Sequence, residues 1–233
     1  MISLERNQLT GGEWRLLGQI YSYIKSVSAP FEIAEYLRSA KSPKLNLGCG
    51  QNIIAGWLNV DIQAMPRATK LDIARSWPFN QNTFDAILCE HSIEHVSKGA
   101  GIELLASSFH VLRPGAYLRV ITPDLEWIAS KAANSSSGPD DEYLAFLSGL
   151  LNKSIKSWHD AINVTFYEYG HKYIWSTGEL CKVLEHAGFV DLVVGRAAEW
   201  KQDIFEGVEG HLKIAGPKLG PLEAFSIEAR KPA

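Results

Sequence analysis

The stretch Lys44-Leu-Asn-Leu-Gly-Cys-Gly-Gln-Asn-Ile-Ile-Ala-Gly-Trp-Leu-Asn-Val-Asp-Ile62 decides how the rest of the chain is read. A short apolar run, KLNLGC, reads as a strand that breaks at Gly48 and Gly50. A second run, WLNVDI, follows and closes on an acid, Asp61. Glycines after a first strand let the backbone approach a ligand closely, because they enter dihedral regions that side chains block. A carboxylate at the end of the neighbouring strand can accept both hydroxyls of a ribose. A dinucleotide fingerprint would need a third glycine opening a full helix, with its acid about twenty residues on. Here Gly50 leads into Gln-Asn-Ile-Ile-Ala, and Asp61 arrives too early for a crossover helix. The spacing therefore suits a ligand with an adenosine and no phosphates.

Outward from this stretch the same rhythm continues. TKLDI is a weak third strand. FDAILCE, residues 84–90, is a strong fourth whose near-continuous apolar run implies burial on both faces. GIELLASSFHVLRPG reads as a helix with Leu104, Leu105, Phe109 and Leu112 on one side and Pro114-Gly115 as its stop. AYLRVITPD is a fifth strand, FVDLVVGRA a sixth and EAFSIEAR a last one. Before the last two, STGELCKVLEHAGF carries helix-capping residues: Ser176 or Thr177, then Glu179, and Gly188 beyond the end. Strands alternating with helices predict a Rossmann-like, doubly wound, seven-stranded and mostly parallel sheet.

Two segments depart from that rhythm. Residues 1–40 read as two short N-terminal helices, one with Trp14, Leu17, Ile20 and Ile24 at helical spacing and one with Pro30 in its first turn. Residues 125–175 form an aromatic-rich insertion after the fifth strand. It contains a Ser/Gly/Pro/Asp loop and nine rings, among them Trp127, Tyr143, Phe146, Trp158 and Tyr169. Residues 1–233 are read as one domain, with a cofactor-binding half over 41–124, the insertion or lid over 125–175 and a C-terminal half from 176.

Composition narrows the function. With a net charge of −3 and no run of Lys or Arg, the chain lacks the basic face that nucleic-acid binding needs. Three cysteines, Cys49, Cys89 and Cys181, form neither a disulfide framework nor a zinc pair, and reduced thiols in a cytoplasmic protein are expected. The polar start shows no signal peptide, and no apolar stretch approaches a membrane span.

LNLGCG, then VDI, then LDI…SWPFNQNTFDAILCEHSIEHV, then VLRPGAYLRVITPD together resemble the class I S-adenosylmethionine-dependent methyltransferases, and within them the type 11 group. The similarity covers roughly residues 40–124, with a weaker HKYIWSTGELCKVLEHAGF match extending it to about 195. The resemblance implies S-adenosyl-L-methionine as cofactor. It implies that Gly48, Cys49 and Gly50 wrap its amino-acid end and that Asp61 binds the ribose. It places Asp72 near the adenine amino group and the Ile73 amide near a ring nitrogen. Cys89, Glu90 and His91 would face the methionine portion. It also implies a transfer to O or N of a small-molecule or saccharide acceptor. The first two crossovers are short, so helices flanking the adenosine are expected to be absent or a single turn.

Three residues are candidates for acceptor chemistry. His91 lies just past the fourth strand, where open α/β sheets bind ligands. His171, in EYGHKYIW, sits between the insertion and the next helix, and imidazole is the usual base near neutral pH. Asp124 ends the fifth strand, either orienting an acceptor or capping the following helix. His159 and Asp160 form a weaker adjacent pair. HSIEH, residues 91–95, formally matches the HxxEH zinc pattern, but that pattern belongs inside a helix, and here it follows a buried strand. No metal is expected on this reading, and Glu94 and His95 are expected as a hydrogen-bonded structural pair. A nicotinamide oxidoreductase and a non-catalytic methyltransferase-like binding module stay open as alternatives.

Overall fold

The computed structural model describes residues 11–134 and 141–233. The polar residues 1–10 and the serine-rich residues 135–140 lie outside them. Seven strands form one sheet: β1 Lys44–Leu47, β2 Leu58–Asp61, β3 Thr69–Lys70, β4 Phe84–Glu90, β5 Leu112–Pro123, β6 Val190–Arg196 and β7 Ala224–Arg230. Their order is β3-β2-β1-β4-β5-β7-β6. All neighbours are parallel except β7, which runs antiparallel to both β5 and β6.

Register explains why the short β1 suffices. Leu45 and Leu47 pair with Leu58 and Val60 on one side and with Ile87 and Cys89 on the other. All six are buried, so the strand is held on both edges and both faces. Because β1, β2 and β4 are parallel, their carboxyl ends lie side by side. This places the Gly48 turn, Asp61 and Glu90 at one rim of the sheet, beside the switch in strand order between β1 and β4 where such sheets bind ligands.

The links β1–β2, β2–β3 and β3–β4 contain no helix, as their lengths predict. Asn46 and Asn59 hold the first of these links in place. Asn46 Nδ2 donates to the Asn52 carbonyl (2.8 Å), and Asn59 bridges the Ile54 amide and carbonyl. The expected third strand is only two residues long. The helix before β5, α2 (Lys98–Val111), stops earlier than its Pro-Gly sequence suggested, because Leu112 already pairs with Phe84 and a register shift follows before Tyr117.

The N-terminal segment is one helix, α1 (Gly11–Ser39), rather than two. Pro30 sits inside it, and anchors on both sides of the proline hold the axis against β3 and β1. Lys70 Nζ donates to Ser22, Thr69 Oγ1 donates to Glu32, and Tyr36 Oη donates to the Lys44 carbonyl. Ala29 and Ile33 are buried there, whereas Trp14, Leu17, Ile20 and Ile24, the residues at helical spacing, are exposed.

The insertion folds as three helices, α3 (Leu125–Ala133), α4 (Asp141–Leu151) and α5 (Trp158–Tyr167). With α7 (Leu212–Glu223) they enclose a second apolar cluster above the carboxyl rim. Its centre is aromatic. Tyr143 stacks on Trp158 at 5.6 Å and 7°, and Trp127 meets both edge-on. Tyr173 and Trp175 pack instead into the main core, near α6 (Thr177–Ala187). That helix is capped as its sequence predicts. Ser176 accepts from the Glu179 amide and Gly188 is left-handed, although the Glu179 carboxylate turns to Lys98 and Tyr173.

Candidate active site

The glycine turn is a tight backbone cradle. Gly48 and Gly50 have φ of +59° and +48°, a region that costs other residues about 1–2 kcal/mol. The Cys49 amide donates to the Val60 carbonyl (2.9 Å), which carries the β1–β2 pairing into the turn. The Gly50 amide donates to Asp61 Oδ2 (2.9 Å), and the Gln63 amide to Asp61 Oδ1 (2.8 Å). The buried Asp61 carboxylate is thereby fixed in orientation. Each oxygen keeps a second lone pair for a further donor.

The two glycines differ in what surrounds them. A Cβ at Gly48 would lie 2.7 Å from the Cβ of Ser92, closer still to its hydroxyl, and 3.7 Å from the Ile73 side chain. A Cβ at Gly50 would meet no protein atom within 4 Å. Gly48 is therefore demanded by packing, and Gly50 leaves open space at the rim. The Ile73 side chain lies beside the turn. Asp72 is half-buried and is engaged locally, accepting from the Ala74 amide (3.0 Å) and pairing with Arg75 (3.1 Å). Burial, reinforced by the charge of Asp61, pushes the Cys49 thiol up to about 12, and burial drives Cys89 up as well. Neither thiol is a nucleophile at neutral pH.

Glu90 has a role that its position in the sequence does not reveal. Its carboxylate accepts from the amides of Gly210 (2.8 Å) and His211 (2.9 Å) and from Asn52 Nδ2 (3.1 Å). It ties the segment before α7 across the glycine turn. That segment is anchored from below by a buried ion triad. Arg119 on β5 donates to Glu209 (3.0 Å) and to Glu228 (2.8 Å), and all three side chains are almost fully buried.

Past β4, His91 adopts φ +45° with its amide on the Ile121 carbonyl, and a 3-10 turn follows over Ile93–His95. These residues open onto a cavity of about 410 Å³ between the sheet rim and the insertion. That volume is ordinary for a small-molecule site. One wall is apolar, with Trp127, Phe146, Leu147 and Leu151, and the other carries His91, Glu94, His95, Asp124, His171, His211 and Glu223. The structure thus brings His91, Asp124 and His171 to one cavity. His159 and Asp160 are not part of it, since Asp160 completes a capping box with Ser157 at the start of α5.

The polar wall is tightly organised. His91 packs against His211 at a tilt of 34° (centroids 3.9 Å), and His211 Nε2 lies 2.5 Å from Glu223 Oε1. Burial disfavours a charged His91, but the Glu94 carboxylate 3.3 Å from its Nδ1 and the charges of Glu90 and Glu223 outweigh it, so its imidazole is held above the ordinary value. Burial holds His171 below the ordinary value. The Nδ1 of His171 bonds the Thr165 carbonyl. Asp124 caps α3, accepting from the Trp127 amide (2.9 Å), and also pairs with Arg196 (2.5 Å). Of the readings its sequence position left open, the helix cap is the one observed, and the same residue lines the cavity. Glu94 and His95 are not a hydrogen-bonded pair. Glu94 instead accepts from Thr122 Oγ1 (3.0 Å) and faces His91. His211, Glu223, Tyr143 and Tyr169 were not foreseen as site residues. They reach the cavity from elements distant in sequence, and no local motif marks them.

Comparison with known proteins agrees with this geometry. A family model described as a methyltransferase domain matches residues 27–193. A methyltransferase structure from Archaeoglobus fulgidus, described as S-adenosylmethionine dependent, superposes with a TM-score of 0.50 at 16% identity, covering 91% of this chain and 94% of that one. Another so described, from Mesorhizobium loti, also reaches 0.50 at 15% identity, with 88% and 97% covered. No protein curated for function is similar enough to count as a match. The family match spans most of the chain, and the strand order and glycine turn fit it: the protein belongs to the methyltransferase-domain family and is an S-adenosylmethionine-dependent methyltransferase of the class I fold.

Proposed function

We propose that this enzyme methylates an oxygen or nitrogen of a small-molecule or saccharide-type acceptor held in the cavity under the insertion. The observation that carries this reading is the half-apolar, half-ionisable cavity set against the end of β4, beside the glycine turn. When bound, S-adenosylmethionine supplies the methyl group as an electrophile on sulfur. Gly48, Cys49 and Gly50 would cradle its amino-acid end and Asp61 its ribose, with Ile73 and Asp72 toward the adenine. Glu90 would act from behind, keeping the segment 208–211 closed over the turn.

The remaining work is alignment and proton handling. The rings of Trp127 and Phe146 would hold an apolar face of the acceptor, and the insertion helices would exclude water. An amine acceptor needs only to be neutral, whereas a hydroxyl must lose its proton as the bond forms. Among the acceptor-side residues, His171 is held neutral by burial, His91 lies closest to the β4 rim, and Asp124 would orient the acceptor. Among the described residues no helix is long and apolar enough to cross a membrane. A cytoplasmic site of action and an acceptor other than nucleic acid are part of the proposal.

An acceptor screen that reads release of S-adenosylhomocysteine tests it. His171→Ala should leave affinity for S-adenosylhomocysteine nearly intact and depress turnover. Tight cofactor binding with no transfer to any hydroxyl or amine would favour a non-catalytic binding module instead.

A further inference from the structure

We propose that Glu94, His95 and His171 form a binding site for a divalent transition-metal ion in the wall of the acceptor cavity. Each offers a ligand atom, and the three atoms lie within 4.8 Å of one another. All three residues line the cavity, so an ion held there would keep a coordination position open toward it.

The surroundings support a site rather than a chance cluster. Glu94 is fully buried. Its Oε2 accepts from Thr122, but its Oε1 accepts no hydrogen bond, with His91 Nδ1 beside it at 3.3 Å. A buried carboxylate oxygen that accepts no hydrogen bond is costly, and a cation bonded to it removes that cost. His171 is set up as a ligand. Its Nδ1 bonds a backbone carbonyl, which can only accept, so Nδ1 carries the hydrogen and Nε2 the lone pair. Metal-bound imidazoles are typically held in this way. The backbone fixes the third partner against the other two, because the amides of Lys172 (2.8 Å) and Tyr173 (3.2 Å) both donate to the Glu94 carbonyl. The rings of His95 and His171 meet edge to face with centroids 4.8 Å apart.

The HxxEH pattern alone would have named a different set, because His171 takes the third place and His91 packs against His211. Two imidazoles and one carboxylate suit zinc, iron, cobalt or nickel. Magnesium and calcium prefer oxygen ligands throughout. Ligand atoms bonded at about 2.0–2.1 Å in a tetrahedron lie roughly 3.3 Å apart, so binding requires no pair of the three to close by more than roughly 1.5 Å. The ion would polarise an acceptor oxygen at its open position. That role rests on the acceptor reading above, whereas the site itself does not.

The test is titration of the chelator-treated full chain with Co²⁺, followed by its visible absorption, and with Zn²⁺ in competition. The expected result is one equivalent bound with the spectrum of a low-coordinate cobalt site, displaced by Zn²⁺. His95→Ala and His171→Ala should each weaken binding on the order of 100-fold, since even the loss of an outer partner costs 10–100-fold. Glu94→Gln, which keeps the bond to Thr122, should weaken it as well, and the exposed His186→Ala should not. A wild-type chain with no such spectrum, or variants that bind as tightly as wild type, would overturn the proposal. S-adenosylhomocysteine binding in the same preparation separates the failures: if it is retained without metal binding, only the metal site is lost.

Discussion

Gly48→Ala isolates what the glycine turn requires. The residue has φ +59°, so any side chain pays about 1–2 kcal/mol for the left-handed backbone. The added methyl would also sit 2.7 Å from Ser92 Cβ and closer to its hydroxyl. Ser92 is buried, and its hydroxyl lies within 2.9–3.3 Å of the carbonyls of Leu47, Gly48 and Glu90. Displacing it forfeits a hydrogen bond of about 0.5–1.5 kcal/mol and adds overpacking of about 1–3 kcal/mol. The sum is roughly 2.5–6.5 kcal/mol. For a chain of this length that is a fall in Tm of roughly 5–26 °C. Gly50→Ala shares the backbone penalty but meets no atom, so it should lose only about 1–2 kcal/mol. Urea unfolding of both variants, followed by circular dichroism, gives the comparison. Repeating Gly48→Ala in a Ser92→Gly background should bring its cost down to that of Gly50→Ala. If Gly48→Ala costs no more than Gly50→Ala, or if its cost is unchanged without the Ser92 side chain, the packing argument is wrong.

Other consequences can be checked separately. Arg119→Met would leave the buried carboxylates of Glu209 and Glu228 without their cation and should destabilise the fold by about 3–5 kcal/mol, with faster amide exchange over 203–211. Trp158→Ala should remove about 3–5 kcal/mol by hollowing the stack with Tyr143 and Trp127. With its thiol pushed up to about 12, Cys49 carries almost no thiolate at pH 8. Its alkylation in the native protein, followed by peptide mass spectrometry, should be roughly a thousandfold slower than in the unfolded chain. The protection should disappear together with the fold.

The sheet and the glycine turn beside Asp61 were legible in sequence because both are local. Leu45, Leu47, Leu58 and Val60 announce buried strands, and Gly48, Gly50 and Asp61 stand within fourteen residues of each other. Even the missing crossover helices follow from chain length. What was not legible depends on contacts distant in sequence. Pro30 would normally begin a helix, yet Ser22 and Glu32 are both tied to β3, and one helix runs through it. The Trp14–Ile24 stripe has the period of a buried face but finds no cover among the described residues. Glu90 sits where a ligand contact is expected, yet its carboxylate is taken up by Gly210 and His211, some 120 positions away. Glu94 and His95 stand just past a strand but are not the hydrogen-bonded pair expected of them. Their true neighbour, His171, arrives from beyond the insertion, and no spacing rule encodes that meeting.

The central claim is that the carboxyl ends of β1, β2 and β4 hold the cofactor, with Asp61 on its ribose. Calorimetric titration of the wild type and of Asp61→Ala with S-adenosylhomocysteine, with NAD in parallel, tests it most directly. The account predicts one equivalent of S-adenosylhomocysteine bound by the wild type, at least tenfold weaker binding by Asp61→Ala, a loss of about 1.4 kcal/mol, and no heat with NAD. Equal affinity in the two proteins, or binding of NAD in place of S-adenosylhomocysteine, would contradict it.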